Sequence, residues 1–395
     1  MSLPTQVDVL IVGAGAAGLM CAITAGQRGR NVLVVDHANK VGKKILMSGG
    51  GRCNFTNMFA EPENFISGNE HFCKSALARY TQWDFIELVN KHQIPYHEKK
   101  LGQLFCDNKA SDIVEMLLAE CRDANVDVRT HCDIQSVKKS DNGFRIESSL
   151  GNVTAESLVV ATGGLSIPTM GATGLGYELA EQFGLRLLPR SAGLVPFTLS
   201  KEQLAPFSSL VGSSAEVRIG CNQQSFRENL LFTHRGLSGP AVLQISSYWQ
   251  PGQEITIDWS PDTDLREMLL SAQQQRPKTE LKTLLATLHT KAWANVFCEN
   301  WLGSKPVNQY SEQQLEELAQ RLHQWKIMPA GTEGYRTAEV TLGGVNTDDI
   351  SSKTFEAKQQ QGLYFVGEVI DVTGWLGGFN FQFAWSAGYA AGCFV

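Results

Sequence analysis

Residues 7–36 read VDVLIVGAGAAGLMCAITAGQRGRNVLVVD. The apolar run at residues 7–12 has the length and β-branched content of a buried strand, and residues 31–35 form a second such run. Between them the glycines follow the pattern G-x-G-x-x-G, and residues 19–28 have the composition of a helix. The order of strand, glycine-rich turn, helix and strand predicts a βαβ unit of the dinucleotide-binding type.

Each part of this motif has a physical task in holding a dinucleotide. Gly13 lets the chain turn tightly, Gly15 lets the backbone approach a pyrophosphate, and Gly18 lets helix and strand pack closely. The N–H groups at the helix start attract the phosphates. Asp36 follows Gly18 by eighteen residues and can accept hydrogen bonds from an adenosine ribose. Its carboxylate would repel a 2′-phosphate, which disfavours NADP as the tightly held dinucleotide.

Two further segments favour FAD over NAD. Residues 157–164 form a buried strand that runs into small residues, as expected where a backbone passes close to a cofactor. Residues 362–392 contain a short apolar strand, a loop, and the sequence GGFN at residues 377–380 before a helix rich in small residues. The start of that helix can face the electron-rich pyrimidine edge of a reduced flavin. An NAD domain needs no such return of the C-terminus to the first βαβ unit.

The composition is that of an ordinary globular protein. The 395 residues include 43% hydrophobic and 19% charged residues, and the net charge of -6 comes with no long basic run. We therefore expect no clear nucleic-acid footprint. No stretch has 18 consecutive apolar residues, and no signal peptide precedes the first strand, so we expect a cytoplasmic protein without a membrane partner. The nine cysteines lack C-x-x-C spacing, which favours reduced thiols and no metal site.

The sequence resembles the BaiN/YhiN-type family of bacterial flavoproteins. The resemblance rests on the N-terminal motif and on four segments, namely GKKILMSGGGRCNFTN at 42–57, ATGGLSIPTMGATGLGYELAEQFG at 161–184, LLFTHRGLSGPAVLQIS at 230–246 and GEVIDVTGWLGGFNFQFAWSAGYAAG at 367–392. It implies a FAD-dependent oxidoreductase linked to NAD(P)H. The last segment is also similar to the wider fumarate reductase and glutathione reductase superfamily. The match departs from the family at Gln103, Cys106 and Leu175, which leaves the substrate open.

The resemblance also implies which residues contact FAD. The pyrophosphate and adenosine half would contact Gly13, Gly15, Ala16, Ala17, Gly18, Asp36, Ala161, Thr162 and Gly163, with Lys43 and Lys44 just past Asp36. The ribityl chain and flavin would contact Ser48, Gly49, Gly50, Gly51, Arg52, Cys53, Asn54, Asn57, Glu368, Asp371, Gly378, Phe379 and Asn380.

The segment VGKKILMSGGGRCNFTN at 41–57 is predicted to be a loop that forms the second wall of the FAD site. Its three glycines let backbone N–H groups reach the cofactor without a Cβ in the way. Lys43 and Lys44 either offset phosphate charge or are solvated loop charges, and we favour the second interpretation. Arg52 is the better candidate for a functional contact. Cys53 is either a redox thiol or a small packing residue, and the lack of a neighbouring resolving cysteine favours packing.

The chain is predicted to be an α/β protein with a Rossmann-like FAD-binding domain of the glutathione reductase/fumarate reductase type, interrupted by an inserted β plus helical domain. The FAD-binding domain would comprise residues 1–192 and 343–395. The inserted domain, residues 193–342, would contain a short-strand unit at about 193–260, a helical part at about 261–327 and a return strand at about 336–342.

The predicted function is a FAD-dependent oxidoreductase that acts on a small organic molecule by hydride transfer through flavin N5. The chain has no second G-x-G-x-x-G after a strand, so NAD(P)H would dock transiently as electron donor. His234 is a candidate proton donor, with a structural histidine as the alternative, and Arg235 or Arg336 is a candidate carboxylate ligand, with a surface ion pair as the alternative. A tRNA-modifying flavoprotein and a non-catalytic flavin-bound redox sensor stay open as alternative functions, as does the oligomeric state.

Overall fold

A computed structural model describes residues 3–395. They form two compact units, one joining the described residues up to Ser191 with Val340–Val395, and the other comprising Ala192–Glu339. We call these the discontinuous unit and the inserted unit. The domain boundaries after residues 192 and 342 stay a prediction. Within residues 3–395, no helix has both the length and the apolar character needed to cross a bilayer.

A seven-stranded sheet forms the centre of the discontinuous unit. Its strands, in order across the sheet, are Asp127–Arg129, Val32–Val35, Gln6–Val12, Gly151–Val160, Gly143–Ser148 and Ile134–Ser140, with Leu363–Phe365 also paired to Gly151–Val160. The first four strands and Leu363–Phe365 are mutually parallel, and Gly143–Ser148 pairs antiparallel with both Gly151–Val160 and Ile134–Ser140. The carboxyl ends of the parallel strands therefore meet at one edge of the sheet, where doubly wound folds bind their ligands. The βαβ unit predicted for residues 7–36 is confirmed.

The first and last helices of the discontinuous unit pack closely because glycines face the contact. The helices of this unit are Ala16–Gln27, Lys43–Gly51, Lys74–Arg79, Gln82–Lys91, Ser111–Asp123, Leu175–Gln182 and Phe379–Gly392. A Cβ at Gly388 would lie 2.3 Å from the Ala17 carbonyl oxygen, and one at Gly392 would lie 2.6 Å from Thr24 Cβ. Since residues 17 and 24 face residues 388 and 392 in the same order, the two helices run in parallel.

The prediction of a loop for residues 41–57 is wrong in part. Lys43–Gly51 is helical, although its backbone leaves the helix at Ser48 and is left-handed at Gly49, with a φ of +58°. Asn54–Asn57 is a strand that pairs with Gln103–Cys106. Lysine, isoleucine, leucine and methionine are good helix formers, which explains the first turns. The strand depends on a partner almost fifty residues away along the chain, which the local composition could not reveal.

Three small sheets lie wholly or largely in the discontinuous unit. They comprise Asn54–Asn57 with Gln103–Cys106 and Tyr96–Glu98, Phe65–Ile66 with Thr373–Gly374, and Leu187–Gly193 with Val340–Val345. The first of them joins the glycine-rich segment to the hairpin of residues 96–106.

The inserted unit is an antiparallel sheet with helices around an aromatic core. Its strands, in order, are Trp325–Ile327, Ile255–Asp258, Ser214–Cys221, Gln224–Phe232, Gly236–Ser238, Phe197–Thr198 and Gly331–Thr332. Its helices are Lys201–Leu204, Pro240–Ser246, Leu265–Gln275, Leu281–Leu285, Lys291–Trp301 and Glu312–His323. Trp259 is fully buried and contacts the rings of Trp293, Phe297 and Trp325.

Replacing Gly388 with alanine tests the close contact between the first and last helices. The added Cβ meets the Ala17 carbonyl at a distance that real atoms do not adopt, so the helices must separate. We expect the free energy of unfolding of the apoprotein to fall by about 1–3 kcal/mol, measured by urea denaturation. Gly220→Ala is the control, because the nearest atom to its new Cβ is 3.6 Å away. Equal losses in the two variants would contradict this packing.

Candidate functional site

The glycine-rich turn after the first strand combines tight packing with open space. Gly13 has a φ of +115°, and a Cβ there would lie 2.3 Å from the Ala161 carbonyl oxygen. A Cβ at Gly18 would lie 2.0 Å from the Gly13 carbonyl oxygen. At Gly15, by contrast, an added Cβ would meet no atom within 4 Å, and the helix Ala16–Gln27 begins there without a side-chain cap. The helix start therefore offers room and N–H groups for a phosphate.

Asp36 is fixed at the end of the second strand by two backbone amides. Its Oδ2 accepts a hydrogen bond from Ala14 N at 2.7 Å, and its Oδ1 accepts one from Ala38 N at 2.8 Å. The side chain remains 16% exposed. Each carboxylate oxygen has a further lone pair, so the group can also accept hydrogen bonds from ribose hydroxyls.

Lys44 belongs to a polar network rather than to a solvated loop. Its Nζ donates to Glu368 Oε2 and to Ser166 Oγ, both at 2.6 Å. Glu368 Oε1 in turn accepts a hydrogen bond from Thr341 N at 2.9 Å. The ion pair fixes Glu368 beside the small residues at 163–164, because a Cβ at Gly164 would lie 2.6 Å from Glu368 Oε1. Sequence reasoning missed Ser166 and Thr341, since serine and threonine in such positions carry no distinctive local pattern.

The start of the C-terminal helix is joined to the strand Asn54–Asn57. Asn57 Nδ2 donates to the Gly377 carbonyl at 2.8 Å. Gly378 has a φ of +98°, and a Cβ there would lie 2.3 Å from the Thr56 carbonyl oxygen. Further bonds connect Thr56 Oγ1 with Gln382 Oε1 and Trp385 Nε1 with the Phe55 carbonyl. The helix Phe379–Gly392 has no side-chain cap, so its first N–H groups can face an electron-rich ligand.

Asn380 and Asp371 order the loops around this helix start. The Asn380 side chain accepts a hydrogen bond from Gly374 N and donates to the Gly374 carbonyl, both at 2.8 Å. Asp371 is buried, and its Oδ2 accepts a hydrogen bond from Gly68 N at 2.7 Å. Burial raises the pKa of Asp371, although the Gly68 hydrogen bond opposes the shift. Both residues therefore hold backbone in place, and their predicted contacts with FAD stay predictions.

The remaining residues of the glycine-rich segment differ in exposure. Gly49 packs on an aromatic ring, since a Cβ there would lie 2.7 Å from Phe105 Cε1, whereas Gly50 has no atom within 4 Å of a Cβ. Arg52 is exposed. Cys53 is fully buried, and burial raises the pKa of its thiol to about 12. The thiol is therefore protonated at neutral pH, which favours the packing role over a redox role.

The predicted catalytic residues His234 and Arg235 lie in the inserted unit. Both are exposed and follow the strand Gln224–Phe232. Arg235 Nε lies 3.8 Å from Glu333 Oε1. This arginine therefore forms a surface ion pair, which was the predicted alternative to a carboxylate ligand. Arg336 ends the short helical turn Gly334–Arg336 in the same unit. Their catalytic and binding roles stay predictions.

Comparison with known proteins identifies the family. The family model described as HI0933-like protein Rossmann domain matches residues 7–394. The chain belongs to this family. The predicted BaiN/YhiN-type membership, the Rossmann-type FAD-binding fold, FAD as cofactor and oxidoreductase activity are thereby confirmed.

Curated relatives match this chain along nearly its whole length. It is 54% identical over 387 residues to the ribosomal RNA dihydrouridine synthase of Escherichia coli (strain K12), covering 97% of this chain and 96% of that protein. It is 27% identical over 401 residues to the 3-dehydro-bile acid delta(4,6)-reductase of Clostridium scindens, covering 97% of each.

A solved structure shares the fold. The 3-ketosteroid-delta4-(5alpha)-dehydrogenase from Rhodococcus jostii RHA1 aligns with a TM-score of 0.50 at 14% identity, covering 99% of this chain and 98% of that one.

The residues of the discontinuous unit fit FAD. Gly15 leaves the space that a pyrophosphate needs, and Asp36 presents a fixed carboxylate for the ribose. Thr162 Oγ1 is buried and lacks a hydrogen-bond partner within the described residues. These residues would hold the adenosine half, and the uncapped start of Phe379–Gly392 would stabilise negative charge on the flavin.

Replacing Gly15 with alanine should separate FAD binding from folding. The new methyl group has room in the apoprotein but occupies the space assigned to the pyrophosphate. We expect FAD affinity to fall at least tenfold, about 1.4 kcal/mol, in a titration of apoprotein followed by flavin fluorescence. The melting temperature of the apoprotein should match that of wild type and of Gly220→Ala. A folded Gly15→Ala protein with wild-type affinity would refute the assignment.

Because the Asp371 carboxyl is buried, we predict that the stability of the apoprotein depends on pH. Because burial raises its pKa above the ordinary value of 3.8, folding favours the protonated carboxyl. Its stabilising contribution is complete below that ordinary value and is lost as pH rises through the raised pKa. Asp371→Asn should therefore be more stable than wild type at pH 7 and show a flatter stability profile from pH 4 upward in urea denaturation. Asp141→Asn, at an exposed position, is the control; an identical profile for both variants would count against the buried carboxyl.

Proposed function

We propose that this chain reduces the C5=C6 bond of uridine in ribosomal RNA, with FAD as its resident cofactor. The observation that carries the proposal is the 54% identity, over 97% of this chain, to the ribosomal RNA dihydrouridine synthase of Escherichia coli. The relative is covered over 96% of its length, so the likeness extends to both units and not only to the cofactor site.

The chemistry suits the site. The C5=C6 bond is conjugated to the C4 carbonyl, so its reduction adds a hydride to one carbon and a proton to the other. When bound and reduced by NAD(P)H, the flavin would supply the hydride and would itself return to oxidised FAD. The helix starting at Ala16 would hold the pyrophosphate, and the helix starting at Phe379 would stabilise negative charge at the pyrimidine edge, since both starts lack a side-chain cap. The Lys44 and Glu368 ion pair fixes the wall between them.

The RNA substrate revises the sequence-based expectation about charge. The net charge of -6 argues against a basic surface as a whole. Contacts with phosphates depend on where the lysines lie, however, and a few well placed ones suffice to bind a short strand. Of the alternative functions predicted from the sequence, the tRNA-modifying flavoprotein is the one that acts on RNA. The name of the Escherichia coli relative favours ribosomal RNA over tRNA as the substrate.

A small organic molecule is the second candidate substrate. It is the substrate class that the sequence first predicted, and the 27% identity to a 3-dehydro-bile acid delta(4,6)-reductase favours it. The sequence identity to that relative is half the identity to the ribosomal RNA dihydrouridine synthase, over the same share of this chain. Both candidates call for reduction of a carbon–carbon double bond at the flavin, so they differ in what binds beside the cofactor.

Incubation with RNA under anaerobic conditions tests the proposal. The FAD-loaded protein and NADPH would be mixed with ribosomal RNA transcribed without modifications, and the digested nucleosides analysed by mass spectrometry. We expect a uridine derivative that has gained two hydrogens, and less of it with Gly15→Ala when FAD is limiting. A parallel reaction contains a steroid with a conjugated 3-oxo group. Reduction of the steroid but not of the RNA would contradict the proposal and favour the second candidate.

A further inference from the structure

Two large apolar side chains stand exposed beside a pair of lysines in the discontinuous unit. Phe59 is 61% exposed and Leu101 is 59% exposed. Lys99 and Lys100 directly precede Leu101 and are exposed as well. Phe59 packs against the same hairpin, because a Cβ at Gly102 would lie 2.6 Å from Phe59 Cδ2. We call Phe59, Lys99, Lys100 and Leu101 the hairpin platform.

The hairpin platform is held in a strained but fixed conformation. Leu101 has a φ of +52°, which non-glycine residues rarely adopt. The tip is braced by a hydrogen bond from Gly102 N to Glu98 Oε1 at 3.0 Å and by one from Asn57 Nδ2 to the Leu101 carbonyl at 3.1 Å. Strain and exposure of a leucine both cost stability, and neither serves the core. Such a combination is typical of a binding surface.

One buried amide joins the hairpin platform to the start of the C-terminal helix. Asn57 Oδ1 accepts a hydrogen bond from Phe59 N at 2.9 Å. Its Nδ2 donates both to the Leu101 carbonyl and, at 2.8 Å, to the Gly377 carbonyl. Gln103 strengthens the link, because its side chain packs against Gly377. A ligand bound on the platform therefore lies beside the turn that begins the flavin-facing helix.

The platform also contacts the glycine-rich segment. The Lys99 ammonium lies 5.3 Å from the centre of the Phe105 ring, and that ring packs against Gly49. The contact holds the Lys99 charge over the edge of the predicted FAD site. The hairpin also carries one carboxylate, Glu98, whose Oε1 accepts the Gly102 N–H described above.

We propose that the hairpin platform binds an unpaired RNA strand next to the uridine that is reduced. Phe59 stacks on a base and Leu101 packs against its edge, while Lys99 neutralises a flanking phosphate. An aromatic face can stack only on a base that is not already stacked within a duplex, so the platform selects single-stranded RNA. The inference rests on the proposed function and names where its substrate docks.

Binding of a labelled single-stranded RNA tests the aromatic part of the platform. The probe is a fluorescent oligonucleotide of mixed sequence that contains uridine, followed by anisotropy with the FAD-loaded protein. We expect Phe59→Ala to weaken binding about tenfold, because one stacked base is lost. Trp83→Ala is the matched control, since Trp83 is 56% exposed on the helix Gln82–Lys91 of the same unit. The control should bind like wild type.

The salt dependence tests Lys99. Replacing Lys99 with glutamine should reduce the magnitude of the slope of log affinity against log salt concentration by about 0.7, since each phosphate contact contributes about that much for a single strand. Replacing Lys74 with glutamine is the control, because Lys74 is exposed elsewhere in the same unit. That variant should keep the wild-type slope.

The outcomes separate this inference from the proposed function. Wild-type protein that neither binds nor reduces RNA refutes the proposed function and the platform with it. If the wild-type protein reduces RNA but the platform variants bind RNA with wild-type affinity, the platform alone is refuted. FAD content and bleaching by NADPH confirm that each variant is intact. Leu101→Gly is a second variant if Phe59→Ala loses FAD, because glycine suits the left-handed backbone, and we expect it too to weaken binding.

Discussion

The close contact between the first and the last helix of the discontinuous unit is the constraint on which the site depends. Gly388 lets the C-terminal helix approach the backbone of Ala17, and the two helices run in parallel. Their N-termini therefore point the same way. Because Ala17 lies opposite Gly388, the C-terminal helix begins eight residues, or about 12 Å, beyond the start of the first helix. Two positive helix ends at that spacing suit an extended dinucleotide, with its phosphates at one end and an electron-rich ring at the other.

The glycine-rich segment at residues 41–57 contacts the start of the C-terminal helix and is the predicted second wall of the FAD site. Its strand is fixed to the C-terminal helix through Asn57 and Thr56, and its lysine at position 44 is paired with Glu368. The same buried Asn57 also holds the exposed hairpin. Cofactor binding and the candidate substrate surface therefore share one rigid support.

The sequence predicted those features of the site that depend on short spacing. Gly13, Gly15, Gly18 and Asp36 lie within one βαβ unit, so the motif itself specifies their arrangement. The network around Lys44 could not be predicted, because Ser166 and Glu368 lie 122 and 324 residues away along the chain. The role of Asn57 as a clamp and the exposure of Phe59 likewise follow only from tertiary contacts. The helix at Lys43–Gly51 was missed because three glycines outweighed the good helix formers before them.

Identification of the flavin in the purified protein tests the central claim most directly. The protein would be incubated with excess FAD, freed of unbound ligand, and heated to release the cofactor for chromatography. The account predicts FAD in an amount equal to that of the protein, with the absorption bands of a bound flavin before release. A protein that carries no flavin after this treatment, or that holds FMN in preference to FAD, would contradict it, because the adenosine half would then have no partner at Gly15 and Asp36.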